Sequence, residues 1–275
     1  MSLYITSLNS GSNGNCYYVG NDTEAVLVDV GISCRETEKR MKRLGLSPEK
    51  VKAVFISHEH SDHIRGVQVF SSKFKIPVYI SSITLQNSGL VLEENLIRKF
   101  TAHSNTIIGN LSITPFSKLH DASDPYSFIV SGNGIKIGVL TDIGSACNNV
   151  ISNFKNCHAA FLEANYDDEM LEKGSYPYHL KNRIRSDKGH LSNTQALDIF
   201  LNHRPEAMTH LLLSHLSKDN NCPILVKDLF LKHAQETQII VASRYNETPV
   251  FRISGSNNPS APPVKGKTAI QTSLF

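Results

Sequence analysis

No stretch of this 275-residue chain is apolar for long enough to cross a membrane. The start, Met1-Ser2-Leu3-Tyr4-Ile5-Thr6, lacks the basic residues and the long apolar segment of a secretion signal. The five cysteines, at 16, 34, 147, 157 and 222, have no paired spacing. That argues against a disulfide frame and for a reduced thiol set in a cytoplasmic protein. No internal repeat is evident, and neither sign of charge dominates: the net charge is +3. Mild basicity permits an anionic partner without demanding one. With 40% hydrophobic and 19% charged residues the composition is that of an ordinary soluble globular chain, long enough to bury a sizeable core. Nothing in the sequence sets the oligomeric state.

Against this plain background one stretch stands out. Ser57-His58-Glu59-His60-Ser61-Asp62-His63 follows directly on the apolar run Ala53-Val54-Phe55-Ile56. A strand that ends in such a cluster delivers several metal ligands to one point. His58 and His60 leave an extended segment on the same side. His60 and His63, three apart, share a face if a helix begins there. The segment could thus feed two adjacent ions, His58 and His60 to one, Asp62 and His63 to the other. The zinc-protease pattern His-Glu-x-x-His does not fit, because position 62 is aspartate.

The rest of the chain reads as strands and turns with intervening helices. Strand-like segments are Leu3–Leu8, Cys16–Val19, Ala25–Asp29, Val51–Ile56 and Val78–Ser81, then Leu111–Phe116, Tyr126–Ser131, Ile135–Thr141, Ala159–Leu162, Met208–Ser214, Ile239–Ala242 and Val250–Ile253. Helical patterns fall over Arg35–Leu44, Val67–Lys73, Asn193–Asn202 and Ile224–His233. Gly132-Asn133-Gly134 marks a tight hairpin. Two strand-rich halves with outer helices predict an α/β fold, a four-layer αββα sandwich in one domain over residues 1–254. Residues 255–275, rich in Ser, Asn, Pro, Gly and Lys, predict a disordered tail.

Four more donors close apolar strands: Asp29, His120, Asp142 and His215. Singly, such residues can be turn formers; as a set they are expected to join the histidine cluster at one edge of the layered fold. The order Asp29, His58-x-His60-x-Asp62-His63, His120, Asp142, His215 resembles the five-motif signature of the metallo-β-lactamase superfamily. The resemblance covers nearly the whole chain up to about Ile253. It implies that His58, His60 and His120 bind a first divalent metal. Asp62, His63 and His215 would bind a second, Asp142 would bridge both, and Asp29 would orient His58 or its neighbours. Zinc is the first expectation for the two ions, with manganese or iron also suited to mixed His and Asp ligands. More specifically, the chain is similar to the YycJ/WalJ-like group. That likeness rests on Asn9-Ser10-Gly11-Ser12-Asn13-Gly14-Asn15-Cys16, Phe161-Leu162-Glu163-Ala164-Asn165-Tyr166-Asp167, Gly174-Ser175-Tyr176-Pro177 and Lys188-Gly189-His190-Leu191-Ser192-Asn193. It implies a metal-dependent hydrolase with a nucleic-acid partner, and exonuclease action on DNA.

Such a site would use a metal-bound hydroxide as nucleophile. Glu163-Ala164-Asn165 and Gly189-His190 resemble the paired motifs of tRNase Z-type phosphodiesterases, in which a glutamate supports a histidine that protonates the leaving oxygen. The match is partial: that pattern has histidine where Leu162 stands and threonine where Asn165 stands. The catalytic expectation is Asp62, His190 and Glu163. On the bland alternative, Glu163 is a surface residue and His190 caps the helix starting near Asn193. Ser12, Asn13, Asn15 and Asn165 are the expected substrate contacts. The loop from Ser10 to Asn15 could cradle a phosphate with free backbone N–H groups or be a plain hairpin loop. Lys181, Arg183, Arg185 and Lys188 could track a nucleic-acid backbone or be a solvated face. The 73 residues from Asp142 to His215 must hold several core elements, which leaves no room there for a large cap domain. A thioesterase- or lactonase-like hydrolase of a small metabolite is the alternative enzyme, and a non-catalytic binding module the second alternative, disfavoured because every expected ligand is present.

Overall fold

The computed structural model describes residues 2–255. The tail expected from residue 255 onward lies, but for Gly255, outside the described residues. The strands are β1 (Leu3–Asn9), β2 (Cys16–Gly20), β3 (Ala25–Val28), β4 (Val51–Phe55), β5 (Val78–Tyr79), β6 (Ile97–Arg98), β7 (Thr106–Ile108), β8 (Leu111–Ser117), β9 (Tyr126–Gly132), β10 (Ile135–Leu140), β11 (Ala159–Glu163), β12 (His210–Ser214), β13 (Gln238–Val241) and β14 (Phe251–Ile253). They form two seven-stranded sheets, β14-β1-β2-β3-β4-β5-β6 and β13-β12-β11-β10-β9-β8-β7. Each is antiparallel over one half and parallel over the other, from β3 to β6 and from β10 to β13.

Alternation of side chains explains why both faces of each sheet are covered. Tyr17, Val19, Val26, Val28, Ala53 and Phe55 of the first sheet meet Phe128, Val130, Ile137, Val139, Phe161 and Leu212 of the second in the central core. The opposite faces pack on helices. Val54 and Leu27 pack with Met41 of α1 (Cys34–Arg43) and with Val67 and Phe70 of α3 (Val67–Phe74), which follows the single-turn α2 (Ser61–Ile64) and precedes α4 (Ser82–Ser88). Leu162, Leu211 and Leu213 pack with α5 (Asn148–Phe154), α8 (Asn193–His203) and α9 (Pro223–Leu231) through Phe154, Phe200 and Phe230. Between β11 and α8 lie α6 (Asp168–Lys173) and α7 (Tyr178–Arg185). The fold is thus the expected αββα sandwich. Its hairpins are as short as the sequence suggests: β9 and β10 pair Gly132 with Ile135 across Asn133-Gly134, both at positive φ. All five cysteines are free thiols, and no helix of the described residues is long and apolar enough to cross a membrane.

Parallel strands of one sheet end on the same side, and the residues following β3 and β4 of one sheet and β10 and β12 of the other meet at one rim, where the end of β11 also lies. The opposite rim is stitched by Glu24. Its Oε1 accepts from Asn21 Nδ2 at 2.8 Å and from the Asn110 backbone N–H at 2.7 Å, and its Oε2 accepts from Thr23 Oγ1 at 2.6 Å. One carboxylate therefore ties the β2–β3 turn of one sheet to the β7–β8 turn of the other. The bonds from Thr23 and Asn21, in that order, hold its carboxyl down at about 2. A depressed acid stabilises the fold above its unfolded-state value near 4.3 and loses that contribution as pH falls toward 2. Over that window metal-free protein should lose about 1 kcal/mol more than its Glu24→Gln variant, with solvent at the turn screening the rest. Parallel acid titrations of thermal stability check this; identical slopes would show that Glu24 gains nothing from folding.

Candidate metal centre

The rim gathers its donors through backbone geometry that most residues avoid. Asp29 and His215 follow a strand directly, Asp142 follows one residue after β10, and each takes a left-handed conformation, with φ of 60°, 56° and 55°. Non-glycine residues seldom hold such angles, and they collect where function requires a side chain to be turned sharply off the strand. After β4 the chain runs Ile56-Ser57-His58-Glu59-His60 without helix, then turns into α2 with His60 as its N-cap. Gly31 lets this segment close down: a Cβ there would lie 1.6 Å from the Asp62 carbonyl oxygen.

The seven expected ligands are brought together. Ligand atoms of His58, His60 and His120 lie within 4.8 Å of one another, as do those of Asp62, His63 and His215 and those of His58, His63 and Asp142. Asp142 stands between the groups: its Oδ2 is 3.3 Å from His63 Nε2, and its Oδ1 is 3.5 Å from His215 Nε2 and 3.9 Å from His120 Nε2. The opposite ring nitrogens are engaged. His63 Nδ1 donates to Asp29 Oδ2 at 2.7 Å, His120 Nδ1 to the Gly189 carbonyl at 3.1 Å, and His215 Nδ1 to Glu163 Oε1 at 2.9 Å. His58 Nδ1 donates to Ser57 Oγ at 2.9 Å, which in turn donates to Asp29 Oδ2 at 2.7 Å. Asp29 therefore meets His63 directly and reaches His58 through Ser57. In each of these four rings Nδ1 is held by an acceptor, so Nε2 is the nitrogen turned to the centre, the usual arrangement behind a metal-binding histidine.

Do these residues fit cations? His120 Nε2, His215 Nε2 and Asp142 Oδ2 are all buried and without a hydrogen-bond partner. Buried polar atoms are nearly always satisfied, so three orphans pointing at one place mark a missing partner. The partner that suits imidazole nitrogens and carboxylates together is a divalent cation. Electrostatics agree. Burial keeps the His58 imidazole well below its ordinary range, ready to offer a lone pair. At His215 burial works the same way, but the Asp142 charge, the nearby Asp62 carboxylate and the bond to Glu163 outweigh it and push the ring up to about 10. Three carboxylates thus converge on His215, a concentration of negative charge that suits a bound cation.

Glu163, at the end of β11, is fully buried and serves as a hub. Its Oε1 accepts from His215 Nδ1 and, at 2.8 Å, from His190 Nδ1; its Oε2 accepts from the backbone N–H of Ile143 at 2.6 Å. Burial alone would raise this carboxyl, but the His190 charge and the bonds from His190 and His215 hold it down at about 2. The bland alternative for this pair is not what the structure shows: the cap of α8 is Ser192, in a capping box with Gln195. His190 instead lines a cleft of about 180 Å³ with Ser12, His60, Asp62, His120 and Asp142.

The expected substrate contacts are placed differently from one another. Ser12 lines the cleft. Asn13 is tied by its amide to the Arg244 carbonyl at 2.8 Å. Asn15 is fully buried, donating to Asp62 Oδ2 at 3.2 Å and lying 3.1 Å from His63 Nε2. Asn165 donates to the His215 carbonyl at 2.8 Å. The last two turn their amides to ligand residues and do not line the cleft: buried amides must spend their donors on nearby acceptors. The loop is no open cradle either, since Gly11, Gly14 and Asn15 have their N–H groups bonded to Asn15 Oδ1, the Gly11 carbonyl and the Asp62 carbonyl. Sequence reasoning missed Ser57, Asp121, and Lys118, whose buried ammonium donates to the Thr141 carbonyl at 2.6 Å just before Asp142. The only signal for each was its position within two residues of a motif histidine.

Sandwich, strand-end donors and orphaned nitrogens together define a metal-dependent hydrolase centre. The sequence pattern of the metallo-beta-lactamase superfamily matches residues 10–109. The chain is 34% identical over 232 residues to the exodeoxyribonuclease YycJ of Bacillus anthracis, covering 82% of this chain and 87% of that one. It is 33% identical to the exodeoxyribonuclease WalJ of Streptococcus pneumoniae, over 78% of this chain and 81% of that one. The crystal structure of the metallo-beta-lactamase fold protein YhfI from Bacillus subtilis superposes with a TM-score of 0.70 at 17% identity, covering 92% of this chain and all of that one. The chain belongs to the metallo-β-lactamase superfamily, alongside its YycJ/WalJ relatives, and is a metal-dependent hydrolase.

Proposed function

We propose that the protein is a dinuclear phosphodiesterase that acts on DNA as an exonuclease. The observation that carries this reading is His190 hung on Glu163 and facing the cleft. Esters and thioesters with good leaving groups need no proton donor, whereas the alkoxide expelled from a nucleic acid does. The exodeoxyribonuclease names of the relatives support the same substrate.

His58, His60 and His120 would hold one ion, Asp62, His63 and His215 the other, with Asp142 between them; zinc, manganese and iron all suit this donor set. When bound, such a pair supplies an acidified water as nucleophile and positive charge for the non-bridging phosphate oxygens. The protein's own residues do the remainder. Asp29 and Ser57 fix the rings of His63 and His58. Glu163 orients His215 and His190 with one oxygen, so the metal side and the proton-donor side share one reference point. His190 keeps Nδ1 on Glu163 and presents Nε2 to the leaving oxygen as general acid. Leu180 and Ile184 of α7 add an apolar wall to the cleft.

The test is direct. Purified, metal-loaded protein should shorten end-labelled duplex DNA progressively from a terminus and leave a thioester and lactone panel untouched. Rapid thioester or lactone turnover with intact DNA would replace this reading by that of a small-metabolite hydrolase.

A further inference from the structure

Four basic residues precede His190, and the structure separates them. Arg185 pairs with Glu172, and Lys181 donates to the Glu172 carbonyl, so both are spent on holding α7 against α6. Lys188 is exposed and does not line the cleft. Arg183 does line it, and among the lining residues it is the only side chain with a permanent positive charge, set against Asp62, Asp121 and Asp142. Its Nε and Nη2 each lie 2.5 Å from Asp121 Oδ2. The other Asp121 oxygen is 3.5 Å from His120 Nε2. The guanidinium is therefore anchored beside the metal-facing atoms while 62% of the side chain stays exposed to an incoming ligand.

Arg183 is also held in register with the proton donor. The His190 backbone N–H donates to the Ile184 carbonyl at 2.9 Å, and Ser186 Oγ donates to the Arg183 carbonyl at 2.8 Å. Gly189 permits this closure, since a Cβ there would lie 2.1 Å from the Ile184 carbonyl oxygen. The end of α7 and His190 thus form one piece.

We propose that Arg183 is the specificity-determining residue of the site: it leaves Asp121, wholly or in part, to bind a non-bridging oxygen of the substrate phosphate, so that the cleft selects phosphate esters over neutral ones. The inference rests on the phosphodiesterase reading. A planar guanidinium suits this task because it can engage one anion with two N–H groups and keep its charge at any working pH. Asp121 holds it over the cleft until a better-matched anion arrives.

The test compares metal-loaded wild type, Arg183→Ala and Arg183→Lys on bis(p-nitrophenyl) phosphate and on a short oligonucleotide, with inorganic phosphate as inhibitor. Arg183→Ala should raise KM and the phosphate inhibition constant by about ten- to a hundredfold, the size of one lost charge-assisted bond, with kcat within about threefold. Its salt dependence on the oligonucleotide should be shallower by about one phosphate contact. Arg183→Lys should recover part of both. A merely structural Arg183 would not move the salt slope. Unchanged KM, inhibition and slope at normal metal content would overturn the proposal. So would loss of bound metal in Arg183→Ala, which would make the residue a prop for His120. If wild type cleaves no phosphodiester, the functional reading falls; phosphate binding to wild type and variant by calorimetry then still decides whether Arg183 is an anion site.

Discussion

Asp142→Asn is expected to cost the protein at least one bound cation and to weaken metal affinity by more than the roughly 10- to 100-fold lost when an outer partner is removed. Asparagine is the informative replacement. It nearly matches aspartate in shape and tolerates the left-handed backbone at this position, where φ is 55°. The change therefore isolates the charge. Asp142 alone approaches nitrogens of both ligand groups, His63 and His215 on one side and His120 on the other. The metal-free fold should survive, since losing the carboxylate simply lets His63 and His215 fall back toward neutrality once the Asp142 charge no longer raises them. What should vanish is the stabilisation that metal confers, about 2.7 kcal/mol when free ion is a hundredfold above its dissociation constant. Elemental analysis and melting with and without zinc read both effects. Full metal content in Asp142→Asn would remove the residue from its bridging place.

His190→Ala should lower turnover of DNA by about a hundred- to ten-thousandfold, the range for a positioned general acid. On bis(p-nitrophenyl) phosphate the same variant should lose less than about tenfold, because nitrophenolate departs without a proton. The contrast follows from one hydrogen bond, His190 Nδ1 to Glu163 Oε1 at 2.8 Å, which leaves Nε2 free toward the cleft. Glu163→Gln should lose activity on both substrates, since the same oxygen also orients His215. Single-turnover rates on the two substrates settle the matter, and equal losses in His190→Ala would assign the residue to metal or substrate positioning instead.

Much of this was legible in the sequence because burial leaves a period. The long central strands, such as β4 and β10, carry runs of apolar residues that a two-layer core requires, and their ends are marked by Asp, Ser and His. Elements that bury little left no such trace. β6 has two residues and β7 three, both at sheet edges. Helix α7 buries no residue, so it has no hidden apolar stripe to read, yet its Leu180, Arg183 and Ile184 line the cleft. The left-handed turns at Asp29, Asp142 and His215 are equally silent, as neither aspartate nor histidine announces a positive φ. The convergence of Asn15 and Asn165 on ligand residues depends on loop closures across 47 and 50 positions, which no local pattern encodes.

The most direct measurement is anomalous diffraction from crystals grown with zinc or manganese. Two peaks about 3.5–4 Å apart, one beside His58, His60 and His120 and the other beside Asp62, His63 and His215, with Asp142 touching both, is the result expected. A single ion elsewhere, or these side chains bonded only to one another with no peak between them, would contradict it.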